Sequence, residues 1–588
     1  MKEQRVDFST MNDASVADFL KQNKIGLKTE EARKIQDKIL KRPPSMTELV
    51  VWGIQGSEHS SYKSSKKYLK QLLTEGKEVI LGPSEDSGII KFCEASGKTF
   101  GLVLSHESHN HPSQVVPYEG SATGVGGIVR DVACMGSKVI ALCDMLRFGD
   151  PDRNETKLIF DGVKKGISGY GNPIGVPNLS GEAYFDESYN ENCLVNVSCV
   201  GLIESNKILH SYVPKNAENE PYVFILVGKP TDMSGFGGAS FASADLDEKD
   251  KEQNKGAVQE PNPFLERHLL ASFYDLFQEL DKQDLFDIIG LKDLGAGGVL
   301  CATVELAESG GFGAEVFVEQ IHKALDDLPP AVILCSETQE RFCFAVPERL
   351  KDMFLNHFNK KWALPEVSNG AMASYIGNIT HDGIYRAIYK DETVCEAKTT
   401  DITEGLTVKR PTKARQIQSK KIQIPATDLK TTIKKLLESV NIASREPIYE
   451  NYDQTVQGLT VLERSEADAG LMCPLRDRTD IQDHEKKNAF SISTGGNPLI
   501  GKLSPYNQAL YATLNAICKN AAVGTKTNSL TDCLNYGSAE IPEEMWEFAE
   551  GIKGLNETSR AFNIPFVSGN VSLYNRGKAK SVAPSCII

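Results

Sequence analysis

The sequence lacks an excess of basic residues. Its 588 residues include 65 lysines and arginines against 79 aspartates and glutamates, for a formal net charge of −14. A protein that binds nucleic acid needs basic surface to displace counterions from phosphates, so this balance argues against nucleic acid as a partner. An anionic small molecule is still compatible with the charge, because a local site can be positive or bridged by a metal ion.

Long apolar runs and paired cysteines are also missing. No stretch reaches the roughly 20 apolar residues of a membrane helix, and the first twenty residues lack the apolar core of a signal peptide. The thirteen cysteines are scattered without a CxxC pair, so neither a zinc ribbon nor a disulfide framework is indicated. We therefore expect a soluble, cytoplasmic protein that does not contact a membrane.

Local signals and length indicate several domains. Residues 13–42 favour two short helices that end before Pro43, and Ser45 is a suitable cap for a third helix through Gln55. Single cores stop growing at about 250–300 residues, so a longer chain is expected to divide. We predict an N-terminal helical segment, two αβ domains, a linker and a third αβ domain, in this order: 1–75, 76–210, 211–400, 401–430 and 431–588.

An internal repeat relates the first and third αβ domains. Six residues recur at one constant offset of 388 positions (505 − 117) without a gap: Pro117/Pro505, Tyr118/Tyr506, Gly136/Gly524, Asp144/Asp532, Pro177/Pro565 and Gly181/Gly569. The offset pairs Ile588 with Val200, so we expect the second copy to lack a counterpart of residues 220–395. The chain is then expected to be a fragment of a longer gene product.

The densest group of reactive side chains is SHESHNHPSQ at 105–114, which holds three of the ten histidines together with Glu107. A carboxylate with two imidazoles can bind zinc or act as acid and base beside Mg²⁺. The spacing is not HExxH, which disfavours a zinc-protease helix. Asn110 and Pro112 predict a strand end or loop here, and a polar surface loop is the alternative without function.

Two glycine-rich segments have the pattern of phosphate-binding loops. In GSATGVGGIVRDVACMG, 120–136, the glycines would allow a phosphate to approach a helix start, and Arg130 and Asp131 offer a phosphate fork and a metal carboxylate. In KDLGAGGVLCATVEL, 292–306, Asp293 at a strand end is a candidate Mg²⁺ ligand, with a helix cap as the alternative.

Two other segments have weaker patterns. In SETQER, 336–341, the side chains of Glu337, Gln339 and Arg341 would share one face of a strand, turned either to a site or to solvent. Residues 496–502 nearly match a Walker A loop, but Leu503 stands where the Mg²⁺-binding hydroxyl belongs. A P-loop is therefore not predicted.

Taken together, these motifs resemble the phosphoribosylformylglycinamidine synthase family in its stand-alone synthetase form. The resemblance covers about residue 45 to 588 and depends on GSEHSSYKSSKKYL, ESHNHPS, GSATGVGGIVRDV, KDLGAGGVL, ETQER and SGNVSLYN. It implies an α/β (α+β) fold with two tandem copies of the ATP-binding fold of aminoimidazole ribonucleotide synthetase, arranged as a pseudo-dimer. The second copy would lack its C-terminal subdomain.

The resemblance also implies a reaction. ATP would phosphorylate the amide oxygen of formylglycinamide ribonucleotide, and ammonia would displace the phosphate to give formylglycinamidine ribonucleotide for purine biosynthesis. Mg²⁺ would accompany ATP. Ammonia would come from glutamine through a separate glutamine amidotransferase subunit, bridged by a small accessory subunit, since the chain shows no glutaminase region.

Carried over residue by residue, the resemblance implies four kinds of site residue. The catalytic residues would be His59 and His109. The ATP contacts would be Tyr62, Ser105, Asp532 and Gly569. The Mg²⁺ ligands would be Glu107, Asp131, Asp293 and Asn570. The substrate contacts would be Ser108, His109, Asn110, His111, Arg130, Gln259, Glu337, Thr338, Gln339 and Ser572.

One departure concerns charge: Ser105 stands where the family usually has a lysine that contacts ATP, so that cation is lost or supplied elsewhere. Two alternatives stay open. Other enzymes of the superfamily, such as aminoimidazole ribonucleotide synthetase, thiamine-monophosphate kinase and selenophosphate synthetase, are single units, which the tandem repeat argues against. A truncated, inactive paralogue that binds only nucleotide or partner subunits is favoured by the missing subdomain and opposed by the intact acidic residues.

Overall fold

The computed structural model describes residues 3–243, 255–404, 406, 408–416, 428–578 and 580–588. The predicted linker, 401–430, lies partly outside the described residues, at 405, 407 and 417–427. Within the described part of the chain, no helix is long and apolar enough to cross a membrane.

The N-terminal segment is helical, and its third helix has the predicted cap. Ser45 Oγ accepts a hydrogen bond from the Glu48 backbone N–H at 2.9 Å, and Glu48 Oε2 accepts one from Ser45 N–H at 2.8 Å. This capping box satisfies two backbone donors at the helix start. The helices are α1 (Asp13–Gln22), α2 (Thr29–Lys34, continued by π-helix Ile35–Leu40), α3 (Met46–Gln55), α4 (Glu58–Ser61) and α5 (Lys66–Leu69).

The first αβ domain is a six-stranded sheet covered by helices. Its strand order is β1-β2-β3-β6-β4-β5, and only the β4–β5 pair is parallel. The strands are β1 (Val79–Leu81), β2 (Gly88–Ala95), β3 (Lys98–Ser108), β4 (Lys138–Phe148), β5 (Asn178–Phe185) and β6 (Leu194–Glu204). The helices are α6 (Asn110–Val115), α7 (Pro117–Cys134) and α8 (Asn154–Ile174).

The second αβ domain has a seven-stranded sheet with the order β13-β12-β9-β11-β7-β10-β8. Its strands are β7 (Tyr222–Gly228), β8 (Gly290–Asp293), β9 (Gly313–Phe317), β10 (Arg341–Pro347), β11 (Met372–Thr380), β12 (Ile384–Tyr389) and β13 (Glu392–Lys398). Its helices are α9 (Gly238–Phe241), α10 (Pro263–Lys282), α11 (Gly298–Gly310), α12 (Pro330–Cys335), α13 (Lys351–Asn356, continued by π-helix His357–Lys361), α14 (Leu364–Val367) and α15 (Thr399–Thr403). One apolar cluster joins α7 and α8 to α10, so α7 lies between the two sheets.

The remaining elements form two three-stranded sheets, β14-β15-β16 and β18-β17-β19. The strands are β14 (Thr460–Leu462), β15 (Gly470–Met472), β16 (Phe490–Ile492), β17 (Leu530–Asn535), β18 (Phe566–Ser572) and β19 (Ser585–Ile587). The helices are α16 (Leu429–Leu437), α17 (Glu446–Tyr449), α18 (Pro498–Leu503), α19 (Pro505–Ala522) and α20 (Pro542–Phe562).

The predicted duplication is present at the level of individual residues. Helices α7 and α19 begin and end 388 positions apart, as do α8 and α20. Asp144 pairs with Gly181 across parallel strands β4 and β5, and Asp532 pairs with Gly569 across parallel strands β17 and β18. The two copies therefore share backbone architecture as well as isolated residues.

Three local expectations were wrong. The segment 105–114 was expected to be a strand end or loop: β3 does end at Ser108, but residues 110–115 form α6. The glycines of 120–127 lie inside α7 and not in a loop ahead of it; Gly124 instead lets the helix pass close to His109, where a Cβ would sit 2.9 Å from the His109 Cβ. Residues 336–340 precede the strand, which begins at Arg341, so the alternating face was also wrong.

Candidate active site

A cavity of about 260 Å³ lies where four elements meet: the end of β3, the middle of α7, the end of β8 and strand β18 of the second copy. Glu107 comes from β3, Asp131 from α7, Asp293 from β8 and Asn570 from β18. All four line this cavity. The Asn570 amide connects the copies, since its Nδ2 donates to Glu107 and its Oδ1 accepts from Ser108 Oγ at 2.7 Å.

Neighbouring carboxylates raise the pKa values of Glu107 and Asp131. Burial raises the pKa of Glu107, and the nearby Asp293 raises it further. Asp131 has a raised pKa for the same reasons, with burial first and then Asp293 and Glu107. Like charges in a buried place disfavour ionisation. The cluster is therefore poised for a compensating cation.

Arg130 stands beside this cluster with unused hydrogen-bond donors. Its guanidinium is fully buried, Nη2 donates to Gln339 Oε1, and Nε lies 3.9 Å from Asp293 Oδ2. Nε and Nη1 have no hydrogen-bond partner among the described residues. Because leaving buried donors unpaired costs about 1–3 kcal/mol each, an acceptor on a bound ligand would stabilise this arrangement.

His109 is held as a neutral imidazole. Its Nδ1 contacts the Gly120 carbonyl oxygen, an acceptor that requires a proton on Nδ1. Burial lowers the pKa of His109 to about 4, and burial also lowers the pKa of neighbouring His59. With Nδ1 as the donor, the Nε2 lone pair of His109 is the one available to accept a proton.

The cavity continues into a smaller one of about 40 Å³ that shares His59, Ser108, His109, Gln259 and Glu337 with it. The continuation adds three of the predicted substrate contacts, Asn110, His111 and Ser572. Gln259 Nε2 donates to Glu337 Oε2 at 2.7 Å, and Glu337 Oε1 accepts from the Ala239 backbone at 2.8 Å.

Four of the predicted residues do not line either cavity. Ser105 is buried behind the site, with its Oγ 3.3 Å from Asp131 Oδ2. Thr338 turns its hydroxyl to Asp232 at 2.8 Å. Asp532 and Gly569 lie farther along the second copy, in register with each other. The remaining predicted residues are brought together: His59, Tyr62, Glu107, Ser108, His109, Asn110, His111, Arg130, Asp131, Gln259, Asp293, Glu337, Gln339, Asn570 and Ser572.

Tyr62 connects the cavity to the second copy. Its pKa is raised by burial first, then by Glu107 and, through the second copy, by Asp532. Its backbone is left-handed, with a φ of 50°. Tyr62 therefore lines the cavity while it packs against the apolar core of the second copy.

Sequence reasoning missed Lys292 and Glu305, which also line the cavity. Lys292 directly precedes Asp293 in a recognised motif, so its position was a usable signal. Glu305 belongs to the same 292–306 segment, but it lies within α11, well after the glycines that carried the motif, and nothing in the local pattern marked it. A larger cavity of about 400 Å³ lies elsewhere and is lined by no aspartate or glutamate among the described residues.

The fold and this cavity place the chain in the class of AIR synthase-related enzymes. The model of the AIR synthase related N-terminal domain matches residues 84–203 and again 467–588, and the model of the C-terminal domain matches residues 222–390. Residues 16–63 match the formylglycinamide ribonucleotide amidotransferase linker domain.

Relatives narrow the class to one family. The chain is 41% identical over 590 residues to phosphoribosylformylglycinamidine synthase subunit PurL of Methanothrix thermoacetophila, covering 98% of this chain and 75% of that protein. It is 37% identical to the same subunit of Thermococcus sibiricus, covering 94% of this chain and 73% of that protein. The chain therefore belongs to the phosphoribosylformylglycinamidine synthase subunit PurL family.

Solved structures agree with this placement. The PurLQS structure from Thermotoga maritima has 26% identity and a TM-score of 0.75, covering 95% of this chain and 82% of that one. T. maritima PurL complexed with FGAR has 27% sequence identity and a TM-score of 0.72, with the same coverage of both chains. T. maritima PurL complexed with ATP has 25% sequence identity and a TM-score of 0.69, covering 95% of this chain and 81% of that one. The predicted tandem AIR synthase-type fold is confirmed.

Proposed function

We propose that this chain converts formylglycinamide ribonucleotide to formylglycinamidine ribonucleotide in purine biosynthesis, in the cytoplasm, with ATP and ammonia. The observation that carries the proposal is the joined cavity. It brings together three carboxylates, an arginine with unpaired donors and a neutral histidine, from both copies of the repeat. Related T. maritima PurL structures contain FGAR or ATP.

The chemistry requires activation of an amide. Its oxygen is a poor leaving group, so phosphoryl transfer from ATP converts it to an iminophosphate, from which ammonia displaces phosphate. Arg130 lines the cavity and is assigned to hold an anionic or carbonyl oxygen, since its Nε and Nη1 make no hydrogen bond among the described residues and lie 3.9 Å from Asp293 and 4.0 Å from Glu266. Gln259, Glu337 and Gln339, beside it, would orient the substrate amide and ribose.

Proton removal is assigned to His109. Nitrogen becomes positively charged as ammonia attacks, and a neutral imidazole near that nitrogen can take a proton. The Gly120 carbonyl fixes the tautomer that leaves Nε2 free to do so. His59 lines the same cavity and is the second candidate base.

Mg²⁺ is assigned to Glu107, Asp131, Asp293 and Asn570. No group of three or more histidine, cysteine, aspartate or glutamate side chains within the described ranges already forms a metal-binding set. Mg²⁺ is usually held by one or two carboxylates together with nucleotide phosphates and water, so a complete protein cage is not needed. The raised pKa values of Glu107 and Asp131 fit a divalent cation, which would offset charge during phosphoryl transfer.

The nucleotide is placed between Tyr62 and the second copy. Tyr62, Ser105, Asp532 and Gly569 are the proposed ATP contacts. Tyr62 lines the cavity, Ser105 contacts the cavity-lining Asp131 at 3.3 Å, and Asp532 and Gly569 are paired on β17 and β18 of the second copy. The domain boundaries given above, 1–75, 76–210, 211–400, 401–430 and 431–588, also stay predictions.

A separate glutamine amidotransferase subunit and a small accessory subunit are proposed to supply ammonia. The test measures ADP release by the purified chain with formylglycinamide ribonucleotide and a high ammonium concentration, with each component omitted in turn. We expect ADP only when both are present, and no turnover with glutamine until the amidotransferase subunit is added. Nucleotide binding without substrate-dependent ADP release would instead support the inactive, binding-only alternative.

A further inference from the structure

We propose that the Lys292 ammonium binds the phosphate chain of the nucleotide in this cavity. The inference rests on the proposed use of ATP. It assigns a binding role to a residue that none of the sequence motifs singled out for one.

The cavity lining carries more acidic than basic side chains, so a triphosphate bound there needs a cationic partner. Five carboxylates line it, namely Glu107, Asp131, Asp293, Glu305 and Glu337. Arg130 and Lys292 are the only arginine or lysine among the described lining residues. A triphosphate brings several more negative charges into this low-dielectric space, where like charges repel more strongly than in water.

The two cations have different hydrogen-bonding partners. Arg130 is directed to Gln339, which belongs to the proposed substrate contacts. Ser105 adds no charge near Asp131, because only its hydroxyl reaches that carboxylate, at 3.3 Å. Lys292 is the lysine that lines the cavity among the described residues, and its own partners are Asp86 and Glu305, not the proposed substrate contacts.

The surroundings of Lys292 hold it ready for a ligand. Its Nζ contacts Asp86 Oδ1 and lies 3.1 Å from Glu305 Oε2, while its side chain is 13% exposed. Asp86 is itself fixed by Ser211 Oγ, which donates to Asp86 Oδ2 at 2.6 Å. An ammonium has three N–H groups, so two carboxylate partners leave one for a phosphate oxygen.

A purely structural ion pair is the competing explanation, and the chain contains a matched example. Lys207 Nζ lies 3.1 Å from Glu204 and 2.8 Å from Asp281, with a side chain that is 22% exposed. It also has two carboxylate partners but lines neither part of the candidate site. Lys207→Gln thus controls for the loss of a doubly paired lysine.

The experiment measures the dissociation constant of ATP by calorimetry, in Mg²⁺ and again in EDTA. The proteins are the unmodified chain, Lys292→Gln, Lys292→Arg and Lys207→Gln. A lost charge-assisted contact should weaken ATP binding by about 10- to 100-fold in Lys292→Gln under both conditions. Lys292→Arg keeps the charge and should bind within roughly threefold of the unmodified chain, with Lys207→Gln unchanged.

The outcomes separate this inference from the proposed function. If Lys292→Gln binds ATP as tightly as the unmodified chain, or weakens it no more than Lys207→Gln, the Lys292 assignment is wrong while ATP use stands. If the unmodified chain binds no ATP, the proposed function fails as well. Should Lys292→Gln not fold, Lys292→Met keeps the aliphatic stem, and the same comparison decides.

Discussion

At the scale of single residues, the cavity separates two tasks between side chains that are close in sequence. Glu107 and His109 are two positions apart, yet one belongs to the acidic cluster and the other is a neutral imidazole fixed by a backbone carbonyl. Their different surroundings predict different kinetic signatures when each is removed.

His109→Ala should lower the rate of amidine formation by about 10²–10⁴-fold while ATP affinity stays close to normal, because a positioned base is lost but no phosphate contact is. Steady-state rates and calorimetric ATP titration check both parts. His381→Ala, at an exposed position, is the control. Near-normal turnover of His109→Ala would transfer the role of base to His59.

Glu107→Ala should instead weaken the apparent affinity for Mg²⁺ in the presence of ATP by at least about tenfold, since a metal carboxylate is removed. Turnover measured at increasing Mg²⁺ concentration gives this affinity directly. Loss of rate at saturating Mg²⁺ with an unchanged Mg²⁺ dependence would contradict the assignment of Glu107 as a ligand.

At the scale of elements, local sequence signals predicted the start of helix α3 correctly, but they did not predict the role of the glycines in helix α7. Ser45 and Glu48 are only three positions apart, so the cap of α3 lies within a segment of four residues. The glycines of α7 were mistaken for a phosphate loop because their roles depend on tertiary packing: Gly120 admits the backbone of α6, Gly124 admits His109, and Gly126 admits the Tyr170 ring of α8.

Ser45→Ala should lower the free energy of unfolding by roughly 0.5–2 kcal/mol. The substitution removes the acceptor for Glu48 N–H and also the donor to the Val394 carbonyl oxygen at 2.6 Å. Urea unfolding followed by circular dichroism measures the change. Ser15→Ala, at an exposed position in α1, should leave the unfolding midpoint nearly unchanged; an equal loss in both variants would show that the cap contributes nothing specific.

At the scale of the whole molecule, the site exists because the two copies are packed together. The 388-residue offset made the duplication predictable, and the motifs indicated most of the lining residues. No local pattern could reveal that Asn570 reaches Glu107, or that Lys292 and Asp131 line the same cavity, because these arrangements join segments far apart in the chain. Chemistry-bearing residues were predictable from sequence, whereas their partners depended on tertiary packing.

The close approach of the copies can be tested at Gly88, the first residue of β2. A Cβ at this position would overlap the Val567 carbonyl oxygen on β18, the strand that also carries Asn570. Because backbone must move to admit even a methyl group, Gly88→Ala should destabilise the chain by about 1–3 kcal/mol. Displacing β18 should also weaken ATP binding, as Asn570 and Gly569 shift away from the acidic cluster.

Gly256→Ala is the matched control, since nothing lies within 4 Å of its Cβ and its φ is not positive. Thermal unfolding and ATP titration of both variants decide the matter: a Gly88→Ala protein as stable as Gly256→Ala would mean that the copies pack less tightly than the structure requires.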